Sequence, residues 1–203
     1  MASSFARRSG AGFDNLVGAI DGMLVGIECP SAKECTQMGV GAENFRCSRK
    51  DKYGMNMQAI VDSNTRFLWL DIHYPGRTLD YLAWVSTGLA ISLENDKRTL
   101  LAGLTLIGEN AYGKKKYMAV PFKRATCGRR EAYNFYLSQL RITVEHGFGI
   151  IVHRWGILRS PLRCGVAKVA PLIDCLCHLH TFCIDQRCEI SARPCARNER
   201  GIR

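Results

Sequence analysis

The chain predicts an α/β fold, a mixed sheet flanked by helices, and three observations carry that expectation. Two short apolar runs, Leu16 to Ile20 and Leu104 to Ile107, each lead into an acid, Asp21 and Glu109, as buried strands do when they deliver a side chain to a sheet edge. Two β-rich stretches, Met55 to Val61 and Arg66 to Tyr74, flank Asp62-Ser63-Asn64-Thr65 and read as an antiparallel hairpin. Apolar positions then recur at helical spacing, so strands and helices alternate along the chain.

Taken in order, residues 1–13 carry Ser, Gly and two Arg and read as a flexible lead-in. The first strand ends at Asp21-Gly22, where Gly22 is expected to let the backbone turn sharply; an isolated Asp-Gly is also read as a simple turn. Met23 to Ile27 follow, and Pro30, Gly39 and Gly41 argue against a long element before Cys47. After the hairpin, Pro75-Gly76 ends the second arm. Thr78 offers an N-cap for one helix over about Leu79 to Leu93, and the chain returns to the sheet over Leu100 to Ile107. From Glu131 to about Trp155, Leu137, Leu140, Val144, Phe148, Ile151 and Trp155 recur at steps that make one amphipathic helix. Gly147 and Gly149 inside it imply close approach to another backbone or a break. A last helix covers about Val166 to Ile184, and residues 186–203 form a basic tail expected to be disordered.

Composition narrows the function classes. With 203 residues and 47% hydrophobic, the span 14–185 suits one domain with a real core. A net charge of +10 attracts polyanions, nucleic acid first among them. Ten cysteines without an apolar leader ahead of Asp14 read as reduced, intracellular thiols. No run reaches the roughly eighteen apolar residues of a membrane span, so no membrane is expected.

The chemistry lies in three acids. Asp21 and Glu109 end strands, and Glu145 follows Val144 on the long helix, beside its buried stripe. Arg141, four residues earlier, can pair with Glu145, and that surface ion pair is the plain alternative to a functional role. Gathered together, three carboxylates suit hard Mg²⁺ or Mn²⁺, and two such ions support phosphodiester chemistry. Lys114, Lys115, Lys116, Lys123, Arg124, Arg129 and Arg130 crowd the connection after Glu109, either as a solvated face or as a phosphate-binding surface.

The sequence resembles a family: the DDE nuclease domain of PIF/Harbinger-type transposases. The resemblance rests on Gly18-Ala-Ile-Asp21-Gly22, Arg49 to Tyr53 with Asn56 to Asp62, and Tyr74-Pro-Gly-Arg-Thr-Leu-Asp80. It continues through Gly108-Glu-Asn-Ala-Tyr112, followed by Pro121, and Arg141-Ile-Thr-Val-Glu145-His-Gly-Phe-Gly149. It covers nearly everything from Asp14 to Asp185. It implies a ribonuclease H-like sheet, with residues 14–185 as the nuclease domain, and a nuclear DNA endonuclease or transposase using Mg²⁺ or Mn²⁺, as two ions. By the same resemblance Asp21, Glu109 and Glu145 are the catalytic, metal-holding acids, with 35 residues between the second and third. Lys114, Lys115, Lys116, Arg129, Arg130 and Arg141 would meet DNA phosphates. Further implied are a Myb-like DNA-binding partner, a homo-oligomer, and a DNA-recognition helix-turn-helix upstream, for which residues 1–13 leave no room.

One departure stands out: the family's second acid is Asp, and this chain has Glu109. The extra methylene moves the carboxylate by about 1 Å, enough to reduce rate by roughly 10²-fold. The rival expectation is therefore a catalytically silent descendant that binds DNA or a protein partner. Asp80 is a reserve ligand or a helix N-terminal acid. Cys175, Cys177, His178, His180 and Cys183 have the wrong spacing for zinc on one helix and read as packing, as do Trp69, Trp84 and Trp155. His146 and His153 read as surface or core histidines.

Overall fold

The computed structural model describes residues 5–8, 12–95, 103–125 and 127–186. Six strands form one sheet: β1 (Leu16–Gly26), β2 (Arg46–Cys47), β3 (Lys52–Val61), β4 (Phe67–Pro75), β5 (Thr105–Ile107) and β6 (Met118–Ala119). The order is β3-β1-β5-β6, with β2 and β4 both paired to β3. Pairs among β1 to β4 are antiparallel, while β1 with β5 and β5 with β6 are parallel. An antiparallel meander extended by short parallel strands, with helices packed against it, is a ribonuclease H-like α/β arrangement.

The two faces of the sheet are separated by simple alternation. Ala19, Met57, Ala59 and Val61 face the main core, with Leu137, Leu140, Val144, Phe148 and Ile151 of a long helix α4 (Arg129–Arg154) and Ile173 of α5 (Val166–Asp185). Ile20, Ile60 and Leu106 face a second core with Trp84, Tyr112 and Met118. Trp84 is fully buried and meets Trp69 edge-on at 5.6 Å, whereas Trp69 and Trp155 are half-buried. The indole of Trp155 donates to Leu176 O at 3.1 Å. Phe5 is also fully buried in the main core, while residues 1–4 and 9–11 of the expected lead-in and 187–203 of the expected tail lie outside the described residues.

The structure corrects three local expectations. First, β1 does not stop at Asp21-Gly22: it runs on to Gly26, because β3 pairs with it residue for residue from Ala19↔Val61 to Gly26↔Gly54. Gly22 is needed for space rather than for a turn. A Cβ there would press into Asp80 Oδ1 and lie 2.7 Å from Gln58 Nε2. Second, the helix expected over 79–93 is two: α2 (Asp80–Val85) and α3 (Gly88–Asn95). Leu79, not Thr78, precedes α2, and α3 starts afresh because the Thr87 hydroxyl accepts from Ala90 N at 3.1 Å. Third, β5 is only three residues long; Leu100 to Ala102 lie outside the described residues.

The loop from Pro30 to Cys47 holds a short helix, α1 (Ala32–Met38), opened by a Ser31/Glu34 capping box that Ser-x-x-Glu spells in the sequence, and then a 3₁₀ turn, Ala42–Phe45. Glu34 also accepts from Val166 N at 2.9 Å, so it ties α1 to the start of α5. The Ser31 hydroxyl, then the Ser31 and Val166 amides, hold its carboxyl down at about 2. Helix α5 is long and apolar enough to cross a membrane, yet it lays Val166, Val169, Ile173, Leu176, Cys177 and His180 on the protein core.

Helix α4 passes unbroken through both glycines. Gly147 lies close to the sheet, a Cβ there falling 3.3 Å from Val61 Cγ1, whereas nothing lies within 4 Å of one at Gly149. Gly149→Ala is therefore expected to raise stability by about 0.5–1 kcal/mol in urea unfolding. Gly22→Ala should lower it by about 1–3 kcal/mol, because Asp80 and Gln58 must be displaced.

Candidate active site

Parallel pairing brings the first two acids together. Ala19 of β1 lies opposite Ile107 of β5, and two residues further on the chain reaches Asp21 on one strand and Glu109 on the other. Glu109 precedes a single 3₁₀ turn, Asn110–Tyr112, that closes the end of β5. Helix α4 crosses the same face with Val144 buried against the sheet, which places Glu145 beside Asp21 and Glu109. Carboxylate oxygens of Asp21, Glu109 and Glu145 all lie within 4.8 Å of one another. Among the described residues this is the group of three or more such side chains placed to share an ion.

A guanidinium already sits among them. Arg141 Nη1 lies 2.7 Å from Glu145 Oε1, 3.1 Å from Glu109 Oε1 and 3.8 Å from Asp21 Oδ2. The expected pairing with Glu145 is present, but it is one arm of a four-residue cluster, and the Arg141 side chain is only 19% exposed. One positive charge faces three negative ones. Asp21 is the most enclosed of the acids, and burial pushes its carboxyl up to about 6. The Gly22 amide, donating at 2.8 Å, and Arg141 act against this rise, while Glu109 and Asp80 add to it.

Asp80 lies outside the cluster of three. Its Oδ1 accepts from Asn56 Nδ2 at 2.9 Å and Gln58 Nε2 at 3.0 Å. Gln58 Nε2 also meets Asn56 Oδ1 at 2.7 Å, and Gln58 Oε1 accepts from the Tyr112 hydroxyl at 2.7 Å. Gln58 and Tyr112 were not anticipated as parts of the site's surroundings. The clue is legible afterwards: Asn56-x-Gln58 puts two amides on one face of an otherwise apolar strand, and buried amides need partners. Burial also raises the Tyr112 hydroxyl far above its ordinary range, so it stays a proton donor.

The basic residues divide. Lys115 is paired with Glu94. Lys114 and Arg130 both lie 5.5 Å from the Phe122 ring centroid, and Lys116 and Arg129 are exposed. Lys114 and Lys123 line a cavity of about 290 Å³ with Asn110, Pro121, Phe122 and Tyr133, beginning one residue past Glu109. Arg141 alone of the six expected phosphate contacts points into the acids. On α5, Cys177 is buried with its thiol pushed up to about 12, Cys175 is exposed, and the buried His180 ring contacts Thr65 O at 3.1 Å. His146 is exposed, as is His153, whose carbonyl accepts from Arg159.

Three carboxylates offered from the middle of β1, the end of β5 and helix α4 form a cluster of oxygen donors of the kind that suits a hard divalent cation. The donor set fits such a cation, and a cationic side chain has already been drawn to the position. A family model described as DDE superfamily endonuclease matches residues 20–181, and the chain belongs to that family. No curated protein and no solved structure matches it.

The pH dependence follows from Asp21. Its folded-state value of about 6 exceeds the ordinary 3.8, so the folded protein holds this proton more tightly than the unfolded chain. The stabilisation is complete below about pH 4 and lost as pH rises through 6, a difference of up to about 3 kcal/mol. Asp21→Asn should accordingly stabilise the metal-free protein at pH 8 and give little gain at pH 4, read from unfolding midpoints at the two pH values.

Proposed function

We propose that this chain is the DNA-cleaving domain of a Harbinger-type transposase, acting in the nucleus on DNA phosphodiesters with Mg²⁺ or Mn²⁺. The observation that carries the proposal is the convergence of Asp21, Glu109 and Glu145 within 4.8 Å from three separate elements. These three side chains would hold the ions. Bound divalent cations supply Lewis-acid charge that activates a hydroxyl and steadies the leaving oxygen.

The chain's own groups do the rest. The Gly22 amide, donating to Asp21 Oδ1, fixes the orientation of the most buried ligand. Behind it, the network of Asp80, Asn56, Gln58 and Tyr112 braces β3, the strand paired with β1, against α2 and the turn after Glu109. Lys114 and Arg130, both against the Phe122 ring, and the exposed Lys116 and Arg129 offer charge to the DNA backbone. A Myb-like partner and a homo-oligomer belong to the same proposal.

Glu109 favours a second reading, a domain that binds DNA without cutting it. Its carboxylate reaches Arg141 at 3.1 Å with no capping bond to fix it, and its longer side chain is half exposed. Plasmid nicking in Mn²⁺ separates the two readings. Asp21→Asn and Glu145→Gln should abolish nicking, and Glu109→Asp should raise it by about 10- to 10²-fold with DNA affinity little changed. Absence of nicking in both the parent and Glu109→Asp would favour the second reading. DNA binding itself is tested by the pair Lys114→Ala and Lys116→Ala, which should weaken binding for any sequence and flatten its salt slope by about two phosphate contacts.

A further inference from the structure

A phosphate-binding arginine on a basic domain is expected to reach outward, yet Arg141 turns inward. Its Nη1 spans Glu145 at 2.7 Å and Glu109 at 3.1 Å, with Asp21 Oδ2 at 3.8 Å. The link to Glu109 ties α4 to the end of β5 at the site itself, so the guanidinium is the cross-brace of the acid cluster. The oxygens it touches belong to the carboxylates that suit a divalent cation. Two cations competing for one small set of carboxylates exclude each other, since each loses its ligands to the other and the two repel.

We propose that Arg141 and the divalent cation are alternative occupants of the acid cluster, and that DNA decides between them. A backbone phosphate offers the guanidinium a bidentate partner of its own, and an arginine side chain can change rotamer while its helix stays in place. Arg141 would then leave the acids for the phosphate as DNA binds, freeing them for metal. By linkage the effect is reciprocal: DNA tightens metal binding, and metal tightens DNA binding by the same factor. The domain would stay braced and unarmed until its substrate is in place. This inference rests on the metal-dependent reading given above and adds to it the side chain that gates the site.

The test is equilibrium Mn²⁺ binding to the full chain, counted by electron spin resonance of the free ion, with and without a saturating short DNA duplex. In the parent, DNA should tighten Mn²⁺ binding by about 10-fold, within the usual range of coupling between sites. Arg141→Gln should bind Mn²⁺ about 10-fold tighter than the parent without DNA and gain little more when DNA is added. Arg141→Lys, which keeps the charge but loses the fork, should show weakened coupling and guards against a Gln variant that fails to fold. Lys50→Gln, which removes an exposed positive charge that lies outside the cluster, should leave metal affinity unchanged. Parent-like Mn²⁺ affinity and parent-like DNA coupling in both Arg141 variants, with binding still abolished by Asp21→Asn, would overturn the exchange while leaving the metal site standing. Mn²⁺ binding that Asp21→Asn leaves intact would overturn the metal reading, and the exchange with it.

Discussion

Three carboxylates within 4.8 Å of one another cannot all stay charged unless a cation shares their space, and the architecture around the site answers that constraint. Arg141 supplies one charge, short of the three it faces. Asp21, the acid with least access to water, holds its proton up to about pH 6, chiefly because it is buried and in smaller part because Glu109 and Asp80 lie near. Glu109 and Glu145 are about half exposed, so solvent screens them. The cost of carrying charge therefore falls on the residue set deepest in the sheet.

Placement of the acids is a consequence of register. A parallel β1–β5 pair in which Ala19 faces Ile107 brings both strands to their acids together, and a slip of one residue would send Asp21 to the opposite face. Antiparallel pairing with β3 makes such a slip costly, since Ala19 and Val25 of β1 would leave the main core for the opposite face. On that second face, Asp80 and its two amides occupy the space that Gly22 leaves. The same strand thus carries the proposed metal ligand on one face and its support on the other.

How much of this could be read from the residues depended on whether the deciding contacts were local. The hairpin, the long helix and the last helix were legible because their periodicity lies within one segment. The three acids were legible as ends of apolar runs and as one step off a buried stripe. The continuation of β1 through Gly22 was not, because its cause is β3, more than thirty residues away in sequence. Nor was the break at Ser86-Thr87, where a hydroxyl cap overrides an apolar pattern that would continue through it. The inward turn of Arg141 was only half legible: spacing gives its pairing with Glu145, and only the fold brings Glu109 alongside.

The departure at Glu109 bears differently on structure and on function once these contacts are in view. A carboxylate at this position in any case meets Arg141, and the longer side chain still closes the cluster, so the fold has no difficulty with glutamate. What the fold would not require is Asp21. Enclosing a carboxylate until it holds its proton up to about pH 6 works against stability above that pH, and an amide would fit the same Gly22 amide and the same strand at no such cost. A group kept where it destabilises the metal-free protein has the character of a binding site awaiting charge. A cation arriving at the cluster would offset the desolvation that burial imposes on the Asp21 charge, and the stability withheld by Asp21 would be recovered as affinity for that cation.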